Sequence, residues 1–343
     1  MKILRLFLVF AAVGALAAVA LISKDEAPVA TQMSDAADKF LASLTDEQRK
    51  KAMFDFDDAH RVEWFFTPQQ DNKSKTSTRK GLRFEDLNAE QKKLGLELLR
   101  TGTSQTGYNQ ATTIMSLESI LKETEKKGVM IRNPDWYFIS IFGKPSKTGK
   151  WGWRFEGHHL SVNFTIDRGE IASVTPYMFG ANPAEVKEGP KKGQRTLPEI
   201  EDYARELIKS LSAEQKKETM VADDKLGEVA EKTKAATPGD PIGIVASKLT
   251  EAQQLTLLKL IKAYTDRMPE SVGNAEFNAV KKAGLGKVHF AFTGDPTPGK
   301  PYKYRVHGPS FLVEFLNVQA DGSGNPANHI HSVWRHLPSD FGL

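Results

Sequence analysis

Two runs of the chain alternate apolar and polar residues, LSVNFTI from Leu160 and FLVEFLNV from Phe311. A period of two marks a β-strand with one buried face. On the first run Leu160, Val162, Phe164 and Ile166 share a face with His158, and His159, Ser161, Asn163 and Thr165 take the other. On the second, Phe311, Val313 and Phe315 form the apolar face, while Ser310, Leu312, Glu314, Leu316 and Val318 lie opposite. With the apolar segments before them, these runs predict two three-strand meanders, near 135–142, 151–156 and 158–167, and near 287–293, 301–307 and 310–318. Gly/Pro/Lys turns separate the first two strands of each set.

A different period marks helices. LTDEQRK from Leu44, LNAEQKK from Leu87, LSAEQKK from Leu211 and LTEAQQL from Leu249 each place Thr45, Asn88, Ser212 or Thr250 three residues ahead of a Gln. In that capping box the cap oxygen takes an orphan N–H and the Gln side chain reaches back. A further helix over about 109–127 carries Ile114, Leu117 and Leu121 on one stripe. Residues 69–80 and 223–241 show no periodicity and read as a loop and a mobile excursion.

The two meanders align. Gly143 matches Gly294, Trp153-Arg154 matches Tyr304-Arg305, Gly157 matches Gly308, and Leu160, Val162 and Phe164 match Phe311, Val313 and Phe315, all at one offset. Repetition over this length points to duplication. The expected fold is α+β, with two pseudo-symmetric repeats, each of capped helices and an antiparallel β-meander, forming one compact body. The first repeat spans 34–182 and the second 199–343, joined by a Lys/Gly/Pro-rich linker at 183–198.

Composition narrows the setting. Lys2 and Arg5 precede an apolar run from Leu6 to Ile22 with small residues at Ala18-Val19-Ala20, so residues 1–22 read as a signal peptide. The run is barely long enough to span a bilayer, so an uncleaved anchor is the alternative. Either reading places the protein outside the cytoplasm, periplasmic or secreted, with membrane contact only through that segment. The formal charge of +4 falls to +2 without Lys2 and Arg5. No basic block interleaved with aromatics is present, which argues against a nucleic-acid partner. With no cysteine in the chain, thiolate ligands, disulfides and cysteine nucleophiles are excluded.

The candidate chemistry therefore rests on nitrogen and oxygen donors. His329 and His331 in NHIHSVWR are two apart, so in extended chain both rings point one way and can share an ion. Glu314 is a carboxylate on a strand apolar on both faces, costly unless paired or coordinated; the plainer explanation is a sheet edge where it reaches water, or an Arg partner such as Arg305 or Arg335. Parity groups His159 with Glu314 rather than with its neighbour His158. The expected metal ligands are His159, His329, His331 and Glu314, for Zn, Mn, Fe, Ni or Cu. Glu314 or His158 would move protons. Asn163, Glu156, Arg154, Arg305 and Arg335 would orient ligands or hold an unidentified small molecule. A metal-dependent hydrolytic or oxidative enzyme, a non-catalytic metal- or ligand-binding module, and a structural scaffold all stay open.

RFEGHHLSVNF, the segments RVEWFFTP, WYFISIFGKP and HFAFTGDP, and above all GPSFLVEFLNVQ…NHIHSVWR…DFG resemble the bacterial and fungal domain-of-unknown-function family 3500, from about Phe40 to the C-terminus. The family pattern has Asp after the Trp-Arg where this chain has His336, with Asp340 close by. The resemblance implies one coherent domain, often exported, and brings no activity or cofactor.

Overall fold

The computed structural model describes residues 27–125 and 128–343; the apolar run expected as a signal peptide lies outside them. In chain order the elements are α1 (Val29–Ser43), α2 (Asp46–Ala52), β1 (Met53–Phe54), β2 (Gln70–Asp71), β3 (Thr76–Ser77), β4 (Leu82–Arg83), α3 (Ala89–Thr101), α4 (Gln105–Thr124), β5 (Tyr137–Phe142), β6 (Lys150–Gly157), β7 (Leu160–Asp167), β8 (Glu170–Ser173) and β9 (Tyr177–Phe179). There follow α5 (Pro198–Ser210), α6 (Ala213–Thr219), β10 (Ile244–Val245), α7 (Glu251–Thr265), α8 (Glu270–Ala283), β11 (His289–Gly294), β12 (Tyr302–His307), β13 (Phe311–Gln319) and β14 (His329–His336). This is a mixed α+β fold. No helix among the described residues is long and apolar enough to cross a membrane.

All four capping boxes form. Their glutamines also join helices to one another. Gln48 donates to the Asp86 carbonyl and Gln91 to that of Ser43, and the two amides meet at 2.9 Å. Gln215 and Gln253 do the same with Lys248 and Ser210. Helices α1, α5 and α8 were not anticipated. α1 and α8 start at proline caps without a side-chain cap bond, and α5 starts with Pro198 in its first turn, so the capping signature is missing.

Twelve strands form one mixed sheet in the order β1-β5-β6-β7-β9-β14-β13-β12-β11-β10, with β4 on β5 and β8 on β7. The two meanders are thus the wings of a single sheet, joined at the centre by the short β9 and the C-terminal β14. Alternation reads the faces correctly. Leu160, Val162, Phe164 and Ile166 join Phe311, Val313 and Phe315 in the main apolar core, with residues from the helices. Each such side chain contributes roughly 1.5–3 kcal/mol by leaving water.

The opposite face is polar yet also buried. Irregular segments around 60–80 and 226–241 cover it, with a small apolar cluster that includes Trp64, Phe66, Val229, Leu316 and Val333. Charges beneath this cover are paired. Glu156 meets Arg79 at 3.3 Å and Arg154 at 3.2 Å, Arg305 meets Glu314 at 3.0 Å, and Arg335 meets Asp340 at 2.6 Å. The segment expected as a mobile excursion is fastened here. Glu231 accepts from the Phe66 and Thr67 amides, and Arg335 donates to the Ala230 and Thr233 carbonyls. Residues 183–198, expected as a linker, contain a Glu185–Arg195 bridge and bury Ala184, Val186 and Leu197.

His60 sits under this cover, with Ser140 Oγ at 3.2 Å from Nε2 and an Arg154 nitrogen at 3.0 Å. Burial first, then the Arg154 charge, lowers its pKa to about 2. A histidine depressed on folding stabilises above its unfolded value, near 6.5, and that contribution is lost as pH falls, by at most about 1.4 kcal/mol per unit. His60→Gln is therefore expected to flatten the fall in stability between pH 6.5 and 5 by about one proton. Urea denaturation across that range measures the slope; an unchanged slope in the variant refutes the assignment.

Candidate metal centre

Gly157 pairs with Leu160, so His158 and His159 are the two-residue turn between β6 and β7. His159 adopts a left-handed backbone, φ 60°, which costs a non-glycine residue on the order of 1 kcal/mol. Two contacts hold it there: its N–H donates to the Phe66 carbonyl and its carbonyl accepts from Gly180 N–H. Strand parity does not apply at such a turn. The His158 and His159 rings lie on the same side, stacked with centroids 3.8 Å apart. Gly180 has no room for a side chain; a Cβ would lie 2.5 Å from the Ile330 carbonyl oxygen and 3.1 Å from the His159 ring. That close approach brings the turn against β14.

On β14, His329 and His331 project from one face as their spacing predicts. Their Nε2 atoms are 3.1 Å apart, and His159 Nε2 lies 2.7 Å from the first and 3.2 Å from the second. Nitrogens bound at about 2.05 Å to one ion stand about 3.3 Å apart in tetrahedral and about 2.9 Å apart in octahedral geometry. The triangle matches one face of either polyhedron. His159 and His331 are buried and His329 is half-buried.

The outward nitrogen of His331 fixes its tautomer. His331 Nδ1 meets Glu228 Oε1 at 2.8 Å, so in the neutral imidazole the Nε2 lone pair faces the other two rings. A carboxylate on the outer nitrogen is how histidine ligands are oriented around a metal. Burial first, then the neighbouring imidazoles, holds His159 well below the usual histidine range and lowers His329 to about 2. Those two imidazoles are thus held in the neutral form that a metal ion requires.

His158 stays outside the triangle. Its Nδ1 lies 2.5 Å from Glu118 Oε1 and 3.1 Å from Arg132 Nη1, and Arg132 Nε donates to Glu125 at 2.8 Å. Burial lowers the His158 pKa, partly offset by Glu118.

The remaining residues singled out in the sequence have other partners. Glu314 lies on the His331 face of the sheet, but its carboxylate is bound by Arg305. Burial, outweighing Arg305 and Arg335, raises its pKa. Among the described residues it does not belong to the group of ligand atoms that meet, which is His159, His329 and His331. Glu156 accepts from the Phe65 amide, Asn163 donates to Ser161 and to the Pro176 carbonyl, Arg154 braces His60, and Arg335 braces Asp340. The His336 ring pairs with Glu276 at 2.8 Å, and Asp340 accepts the His336 backbone N–H.

Three neighbours of the centre were missed. Glu118 had a legible signal, since it shares the buried stripe of α4 with Ile114, Leu117 and Leu121. Glu228 and Arg132 lie in irregular segments, where no period ties a residue to a face.

The sequence profile of a family described as protein of unknown function, DUF3500, matches residues 26–343. No curated protein and no solved structure matches the chain.

Proposed function

Because the chain belongs to the DUF3500 family, which brings no activity to carry over, we propose from the site alone that it is a metal-dependent enzyme. His159, His329 and His331 would hold one divalent transition ion through Nε2. The observation that carries this reading is the convergence of three imidazole nitrogens within 3.2 Å of one another, with His331 turned inward by Glu228 on its opposite ring edge. Three neutral ligands leave the full charge of the ion available. An open position would take water and, on Zn, lower its pKa to about 7. Zn, Mn, Fe, Ni and Cu all accept such donors. His158, oriented by Glu118 and stacked on a ligand ring, is placed to receive a proton; Glu314, bound to Arg305, would act on the charge of that face rather than as a ligand. The burial of His159 and His331 favours a second reading, a non-catalytic metal-binding module.

The matched capping glutamines and the two meanders support a duplicated α+β unit, divided near residues 183–198. We also place the protein outside the cytoplasm, on the strength of its N-terminal sequence and lack of cysteine.

Elemental analysis of protein purified without an affinity tag tests the metal. One equivalent of a transition ion per chain is expected, and after chelation Zn, Mn, Ni or Cu should restore it and raise the melting temperature. A chain that takes up none of these ions, with its melting temperature unmoved, sinks the proposal. An exchangeable water on the bound ion favours the enzyme; a closed shell favours the binding module.

A further inference from the structure

We propose that Arg132 is an anion-recognition residue of this centre, so that the ligand it takes carries an oxyanion group, with one oxygen on the ion and another on the guanidinium. The inference rests on the metal reading above.

Arg132 stands in the irregular segment between α4 and β5. Its Nε is held by Glu125 at 2.8 Å, and its Nη1 lies 3.1 Å from His158 Nδ1. The His158 ring is stacked 3.8 Å from that of His159. The guanidinium is thus built in beside the triangle; its side chain is only 10% exposed. Nη2 has no hydrogen-bond partner among the described residues.

Glu125 neutralises and holds the guanidinium at Nε, while Nη1 faces a ring nitrogen whose proton is directed to Glu118. The terminal N–H groups of Arg132 therefore stay available to an anion bound on the ion. Arg suits that task, since its planar fork offers several N–H groups in fixed directions to carboxylate or phosphate oxygens. The nearby carboxylates are already committed, Glu118 to His158, Glu125 to Arg132 and Glu228 to His331.

The test loads the full chain with Co²⁺ and titrates acetate and, separately, inorganic phosphate, reading the visible spectrum of the ion. Saturable change with at least one anion is expected. Arg132→Gln should weaken that anion at least tenfold while Co²⁺ affinity stays equal or rises; Arg132→Lys, which keeps the charge and the Glu125 pair, should lie between. A response to phosphate alone assigns a phosphate ligand, and a response to acetate alone a carboxylate. If Co²⁺ binds but the spectrum ignores both anions, or anion affinity is the same in Arg132→Gln and wild type, the anion inference falls and the metal reading stands. If Co²⁺ does not bind at all, both fall.

Discussion

Replacing His329 and His331 together by alanine is expected to abolish stoichiometric metal binding while leaving the fold intact. A four-ligand zinc site is worth on the order of 10–16 kcal/mol, or about 3 kcal/mol per ligand, so losing two should weaken binding on the order of 10⁴-fold. The fold should survive because Ile330 and Trp334 still anchor β14 in the apolar core, the main packing lost being the edge contact of His331 with Phe66. Competition against a chelator of known affinity measures the loss, and circular dichroism checks the fold. Glu228→Gln gives the graded counterpart. Glu228 meets the outward nitrogen of His331, besides the Val229 amide and Gln319, and outer-shell partners of metal-bound histidines typically carry about 10–100-fold in affinity. A double variant that retains one equivalent at wild-type affinity would remove the site from consideration.

The second large effect concerns Asp340. Its carboxylate and the Arg335 guanidinium are both fully buried, and the same carboxylate accepts the His336 amide. Asp340→Ala strands a buried guanidinium, which costs about 3–5 kcal/mol. The damage should spread, because Arg335 also holds the Ala230 and Thr233 carbonyls and lies over the Trp64 ring. Those contacts position the segment that carries Glu228. A buried ion pair is weak as a net source of stability, yet removing one member is severe. The double variant Arg335→Met/Asp340→Ala is therefore expected to lose less than the sum of the two single changes. Denaturant midpoints for the four proteins decide the matter. Additive losses, or a single-variant loss under about 1 kcal/mol, would mean that the pair is not what fastens this face.

The sequence by itself determined the features that depend on near neighbours. A capping box needs four consecutive residues, so four helix starts could be read directly, and all four formed. A strand needs only its period, so both meanders and their apolar faces were legible. The side-by-side projection of His329 and His331 followed from a spacing of two. Where local signals are weak, reading failed: proline-capped helices, the short β8 and β9, and the turn at His158-His159, whose left-handed residue voids the alternation rule.

The centre itself was decided by tertiary structure. His159 and His329 are separated by 170 residues. They meet because β9 pairs with both β7 and β14, and no local interaction encodes that choice. The partner of Glu314 was narrower from the start: the sequence offered Arg305 or Arg335, and the local β12–β13 hairpin register, which sets Arg305 directly across from it, chose the first. Long-range convergence is fixed by how whole faces bury against one another, a property of the assembled sheet that no short window of residues contains.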